Sequence, residues 1–237
     1  MSLTVVIAHY RRPVNVDRIA ANLPASARLF IVNNSADGPR LGAVSRRRAD
    51  WVLDSSRNNL VTRWFMASQA GTSYYCVHDD DLLLEPHFYS KYIKHIESSD
   101  DSSLPLLTGP FGVRLIPGET YAGSFHTSRH GTEVDIVVGR MVFGQVQFLN
   151  KIPACPPGVD GYGFETVISE DIFVSATLST RFGTNFKITN LGGIVELPAP
   201  YASSASMVHY QRRDMACRLL FQHFTLGNQL RPRRPAN

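Results

Sequence analysis

Tyr74-Tyr75-Cys76-Val77-His78-Asp79-Asp80-Asp81 decides the fold: a short strand-forming run leads straight into three consecutive carboxylates. Tyr74 to Val77 has the composition of a strand buried within a sheet. Open α/β sheets bind their ligands beyond the carboxyl ends of the strands, where this triplet falls. Like charges this close need a counter-ion, and a hard divalent cation, Mn²⁺ or Mg²⁺, suits carboxylate oxygens. Such a cation would hold a diphosphate and neutralise it as a leaving group. The plainer reading of the triplet is a solvated acidic turn ahead of the helix that Pro86 opens.

Upstream, Leu3 to Ala8 is a nearly continuous apolar run. Pro13 stands where a helix can begin, with Val16, Ile19, Ala20 and Leu23 at helical spacing. Leu29 to Val32 is a second buried strand ending at Asn33-Asn34. Strand, helix and strand in that order predict a βαβ unit, hence an α/β fold with a mostly parallel central sheet flanked by helices. Asn58 or Asn59 is expected to cap a helix running through Ala70, with Gly71 at its C′ position. Downstream of Pro86, Phe88, Tyr92, Ile93 and Ile96 form a buried stripe. Turns crowd residues 105–165 around short β-like runs such as Val134–Val138, and helices are expected from Ser169 to about Ser179 and from about Met207 through Phe224. Trp51 and Trp64 are expected in the core.

At 237 residues with no repeats or long linkers, a single domain over 1–230 is expected, with a basic tail, disordered, over 231–237. Cys76, Cys155 and Cys217 are too few and too scattered for a disulfide scaffold or a cysteine-rich zinc module. No apolar run approaches the ~20 residues that span a bilayer, and the N-terminal apolar stretch is too short for a secretory signal. A cytoplasmic protein is the expectation. The net charge of +4 is unevenly spread: +6 over 1–78, −5 over 79–101, −2 over 102–200 and +5 over 201–237. Twenty of the 24 basic residues are arginine, whose planar fork suits phosphate; a general bias toward arginine explains the same count.

The segments TVVIAHYRRP, LFIVNNS, RNNLVTRW, YYCVHDDDLLLEP and ISEDIFVS occur in that order. Together they resemble the GT-A-type nucleotide-sugar glycosyltransferases, above all the exostosin-like family 64, with family 2 as a near neighbour. The resemblance spans roughly residues 3–95 and 165–180. It implies a GT-A domain with a nucleotide-sugar-binding half, about 1–100, and an acceptor half, about 101–230. It also implies a DxD-type motif that holds the donor diphosphate, most simply of a UDP-sugar, through Mn²⁺ or Mg²⁺. Residue by residue, the resemblance implies that Asp81 ligates the metal, and that Asp79 and Asp80 contact ribose and sugar, Asp79 also standing as a second ligand. Ala8, His9, Tyr10 and Arg11 would approach base and ribose, Asn33 would read the base, and Asn58 with Arg63 would contact base or sugar. Glu170-Asp171 matches an ED pair at the reaction centre, Asp171 being favoured. Being adjacent on a helix, only one of the two is expected to face a cleft; a helix N-terminal pair stabilised by the dipole is the plainer reading.

His209 is a candidate third metal ligand and Arg212 and Arg213 are candidate diphosphate clamps, in a stretch that departs from the family pattern. Gly158, Gly161 and Gly163 suggest a hinged flap or an ordinary turn. The acceptor implied is a hydroxyl of a glycan or glycoconjugate. An alternative is a hydroxymethylated base in DNA, with Arg46-Arg47-Arg48 and Arg231, Arg233 and Arg234 as phosphate contacts. A nucleotidyltransferase is a second class, although AHYRRP lacks a glycine-rich loop. A non-catalytic binding module is a third, disfavoured by the intact DDD and ED.

Overall fold

The computed structural model describes residues 2–35, 38–55, 60–98, 107–152, 169–200 and 207–221. The first half comprises β1 (Leu3–His9), α1 (Pro13–Asn22), β2 (Arg28–Asn33), α2 (Ala43–Arg48), β3 (Trp51–Asp54), α3 (Val61–Ser68), β4 (Tyr74–Asp79), β5 (Leu82–Leu84) and α4 (Pro86–Glu97). It continues through β6 (Gly112–Arg114), β7 (Phe125–Thr127), β8 (Glu133–Val134), β9 (Ile136–Val137), β10 (Met141–Gln145) and α5 (Val146–Leu149). It closes with α6 (Glu170–Phe182), β11 (Phe186–Lys187), β12 (Ile194–Glu196) and α7 (Met207–Leu220).

Five strands form the central sheet in the order β10-β4-β1-β2-β3. β1 pairs in parallel with both β2 and β4, β2 in parallel with β3, and only β10 runs antiparallel, against β4. This mostly parallel sheet is the one expected. Every residue of β1 is buried. Val5 and Ile7 pack with α1 and α4 on one face, while Val6 packs with α3, α5 and α6 on the other. Within the first layer Phe143 stacks on Tyr92, ring centroids 4.2 Å apart and nearly coplanar. A third cluster joins β6, β9, α6 and α7 through Val113, Ile136, Ile172, Ala176 and Cys217.

Chain order runs outward from β1 through β2 to β3 on one side and restarts with β4 on the other, so the crossover directions reverse between β1 and β4. A crevice opens at such a reversal, and there Ala8 pairs directly with Asp79.

Several expectations change. Trp51 is 39% exposed because β3 is the edge strand, and it meets Phe30 edge-on. Trp64 is buried as expected. α3 starts at Val61 with Leu60 at its N-cap and no side-chain cap; Asn58 and Asn59 lie outside the described residues, as do Cys155, the Gly158–Gly163 segment and the tail 231–237. Gly71 is left-handed, φ +62°, but stands beyond the cap position held by Gln69. No helix among the described residues is long and apolar enough to cross a membrane.

Candidate active site

The turn leaving β1 is set by three side chains. The Tyr10 N–H donates to Asp80 Oδ2 at 2.8 Å, the Arg11 N–H to Ser35 Oγ at 2.7 Å, and the Arg12 N–H to His9 Nε2 at 3.1 Å. Because His9 Nε2 accepts, its Nδ1–H is the donor to Asn33 Oδ1, 2.8 Å away. Asn33 Nδ2 donates in turn to Asp54 at 2.6 Å. Burial lowers the His9 pKa, with the Arg12 charge adding to it against the Asn33 bond, so the imidazole stays neutral in this chain of hydrogen bonds. Arg11 adopts φ +60°, a conformation costing a non-glycine residue about 1 kcal/mol. His9 and Asn33 therefore hold the ends of three strands in place; neither lines the cavity beside them, nor do Arg11 and Arg212.

That cavity, of about 490 Å³, is bordered by Ala8 and Tyr10 of β1 and its turn, by Asp79-Asp80-Asp81, by Arg63, by Glu170-Asp171, and by His209, Tyr210 and Arg213. Ten of the expected site residues thus share one concavity.

The three aspartates part at the end of β4: Asp79 is its last residue, while Asp80 and Asp81 form the turn into β5. Asp80 is buried with both oxygens engaged, by the Tyr10 N–H and by Arg12 Nη1 at 2.5 Å. Burial pushes its carboxyl up to about 7, against the pull of those two partners. It is a strut between the β4 end and the β1 turn. Asp79 bonds Arg63 Nη1; burial raises its pKa and the Asp81 charge adds to this, with Arg63 opposing. Asp81 is the most loosely held, 3.3 Å from Arg140 Nη2 and 3.8 Å from Arg12 Nη1.

Arg63, buried on α3, spans the site: its other η nitrogen bonds Glu170 Oε1. Glu170 and Asp171 both line the cavity, contrary to the expectation for adjacent helical residues, because they form the first turn of α6 and meet the cavity at the helix end. Asp171 accepts from the Gly139 N–H at 2.9 Å, the Ile172 N–H at 2.9 Å and Arg213 Nη2 at 2.8 Å. Burial alone would raise its pKa, but Arg213 and these bonds outweigh burial and hold the carboxyl below the usual range. Burial moves Glu170 the other way, upward, despite Arg63. Gly139 has no room for a side chain: a Cβ there would lie 2.7 Å from Arg63 Nη2 and 3.1 Å from Glu170 Oε1 and Asp171 Cβ.

The far wall is aromatic. Arg213 lies over the Tyr121 ring at 4.5 Å, and Tyr121 meets His126 edge-on. Burial and the Arg213 charge lower the His209 pKa to about 4, against the attraction of Asp171, so the ring is neutral near pH 7. Arg12, Tyr121, His126, Arg140 and Glu196 are site residues that the sequence reading missed. Of these only Arg12 carries a signal, since it stands within the segment TVVIAHYRRP.

Among the described residues no three Asp, Glu, His or Cys side chains converge as a ready-made metal cage; Asp79, Asp81 and His209 share the cavity without forming one. The donor set nevertheless fits a cation of the Mg²⁺ type, which takes one or two carboxylates and completes its shell with water and substrate phosphates. Asp81 offers the least committed carboxylate. Among the described residues six carboxylates and four guanidiniums line the cavity; burial raises the pKa of Asp79, Asp80 and Glu170, and a cation bound beside them would favour their ionised forms.

Fold and site define an α/β protein with an acid- and arginine-lined cavity at the reversal point of its sheet. No protein-family model matches the sequence, and no curated protein matches it. Among solved structures, CMP:2-keto-3-deoxy-manno-octonic acid synthetase complexed with CTP is similar over 84% of this chain and 94% of its own, at 11% identity and a TM-score of 0.48. A likeness that loose carries nothing about this cavity.

Proposed function

We propose that the protein is a metal-dependent glycosyltransferase of the GT-A type, akin to the exostosin-like family, moving a sugar from a nucleoside-diphosphate donor, a UDP-sugar, to a hydroxyl of a glycan or glycoconjugate. The observation that supports it is the Arg63 bridge, which ties a carboxylate at the end of β4 to one at the start of α6 across a single cavity. Mn²⁺ or Mg²⁺ held by Asp81, with Asp79 and His209 beside it, would neutralise the diphosphate as it leaves. Asp79, fixed by Arg63, orients the sugar. Asp171, kept anionic by Arg213 and the Gly139 N–H, faces the positive charge that develops at the sugar carbon. Glu170, whose pKa is displaced upward, is the better placed of the pair to exchange a proton with the acceptor hydroxyl.

The second reading is nucleotidyl transfer, which also uses carboxylate-bound metal on an α/β sheet; the basic residues Arg11 and Arg12 directly after β1 favour it. Against it, the backbone N–H groups of that turn, which a triphosphate would need, are already given to Asp80, Ser35 and His9. Position disfavours the α2 arginines as DNA contacts: α2 feeds the start of β3, so Arg46, Arg47 and Arg48 lie toward the opposite end of that strand from the cavity, and its four residues span about 13 Å at ~3.3 Å per residue. Arg231, Arg233 and Arg234 lie outside the described residues.

Product analysis tests the reading. With Mn²⁺, a UDP-sugar panel and glycan acceptors, the expected product is free UDP, lost at least 100-fold in Asp81→Asn. Pyrophosphate released from a nucleoside triphosphate and a sugar would establish nucleotidyl transfer instead.

A further inference from the structure

Among the described residues four guanidiniums line the cavity, and three are locked. Arg63 and Arg213 are buried against Glu170 and Asp171, and Arg12 is held to buried Asp80 at 2.5 Å. Arg140 differs. Its side chain is 32% exposed, and its closest partner, Glu196 at 2.7 Å, is 65% exposed on the short strand β12. Arg140 grips Glu196 with both η nitrogens, Nη1 to Oε1 at 3.0 Å and Nη2 to Oε2 at 2.7 Å, in a pair open to water and therefore screened, which another fork-shaped anion can replace. Its second contact, to Asp81 Oδ1 at 3.3 Å, falls on the very carboxylate that suits a cation. A divalent cation on this carboxylate would stand close to the guanidinium, and the repulsion between the two positive charges would weaken an already long contact. The Phe111 ring lies beneath the guanidinium, 5.1 Å from its central carbon, and holds it at the cavity edge without consuming its N–H groups.

We propose that Arg140 is a diphosphate-binding residue held in reserve: Glu196 and Asp81 pair with it in this structure, and it turns to the donor's phosphate oxygens when Asp81 takes its cation. This rests on the reading of the cavity as a nucleoside-diphosphate site. Bidentate pairing with a phosphate suits a guanidinium at this distance from the metal carboxylate, and it makes Glu196 a competitor for Arg140.

Calorimetric titration with Mn²⁺ present, using inorganic pyrophosphate, UDP and uridine as separate probes, tests it on the full chain. Arg140→Ala is expected to weaken pyrophosphate and UDP by a similar factor, at least 10-fold, and to leave uridine unchanged. Glu196→Gln is expected to tighten pyrophosphate several-fold, and that gain should vanish in the Arg140→Ala background, which separates release of Arg140 from simple loss of a negative charge. Wild-type affinities in Arg140→Ala, or a Glu196→Gln gain that survives without Arg140, would overturn the proposal while leaving the donor site standing. If Arg140→Ala does not fold, an unchanged or weaker pyrophosphate affinity in Glu196→Gln overturns it alone. Failure of wild type to bind either pyrophosphate or UDP would remove the donor-site reading and this inference with it.

Discussion

Asp80 shows how one residue of an acidic triplet departs from its neighbours. Its two oxygens join the β1 turn to the end of β4, and burial sets its carboxyl near 7. An acid whose pKa is higher folded than unfolded binds more protons in the folded state across the interval between the two values. Its stabilising contribution is therefore complete below about pH 4 and is lost as pH rises toward 7. Thermal melting from pH 4 to 8 should show the stability of wild type relative to Asp80→Asn falling over that interval and flat above it. Asp81, with the longest contacts of the three, should behave as a ligand-binding group, and its substitution should leave the melting temperature nearly unchanged. The sequence marked this triplet as a site but had no means to tell strut from ligand, because the difference lies in Tyr10 and Arg12, nearly seventy residues earlier in the chain.

At the level of elements, the two acids of α6 are aligned by the start of β10. Gly139 donates its N–H to Asp171 while its bare Cα leaves space for the Arg63 head. Gly139→Ala keeps the N–H but forces Arg63, Glu170 or Asp171 to move by several tenths of an ångström. A misplacement of 1 Å at a reacting centre costs about 100-fold in rate, so shifts of a few tenths should lower it by about 10-fold, alongside an overpacking cost of about 1–3 kcal/mol. Steady-state kcat together with a urea midpoint should show both effects. β1, α1, β2, β4 and α4 were legible because long apolar runs and prolines mark them. β3 and β10 were not: each has four or five residues, and β10 carries Gly144, placed where the Tyr75 hydroxyl approaches closely. Missing β10 and β12 meant missing Arg140 and Glu196, whose meeting with Asp81 depends on two antiparallel pairings that no local pattern announces.

Across the whole molecule, the block of −5 between two basic arms becomes intelligible once folded: the acids at its head are met by arginines from α3, the β1 turn and the start of β10. UDP with Mn²⁺ should bind the folded state alone and stabilise it, by about 2.7 kcal/mol at 100 times the Kd. Differential scanning fluorimetry should show a rise in melting temperature of a few degrees with both present, absent with UDP plus a chelator, and absent in Asp81→Asn.

The β1 turn carries a kinetic consequence. Its three N–H groups already have partners, and so, among the described residues, do the four guanidiniums that line the cavity, so an arriving anion would have to displace one of those partners. On the proposed reading, capture of a diphosphate would need an exchange of partners as well as long-range attraction. Dissolved salt slows attraction but eases such an exchange, and the two effects oppose each other. Association of a diphosphate should therefore fall less steeply with ionic strength than attraction alone would make it.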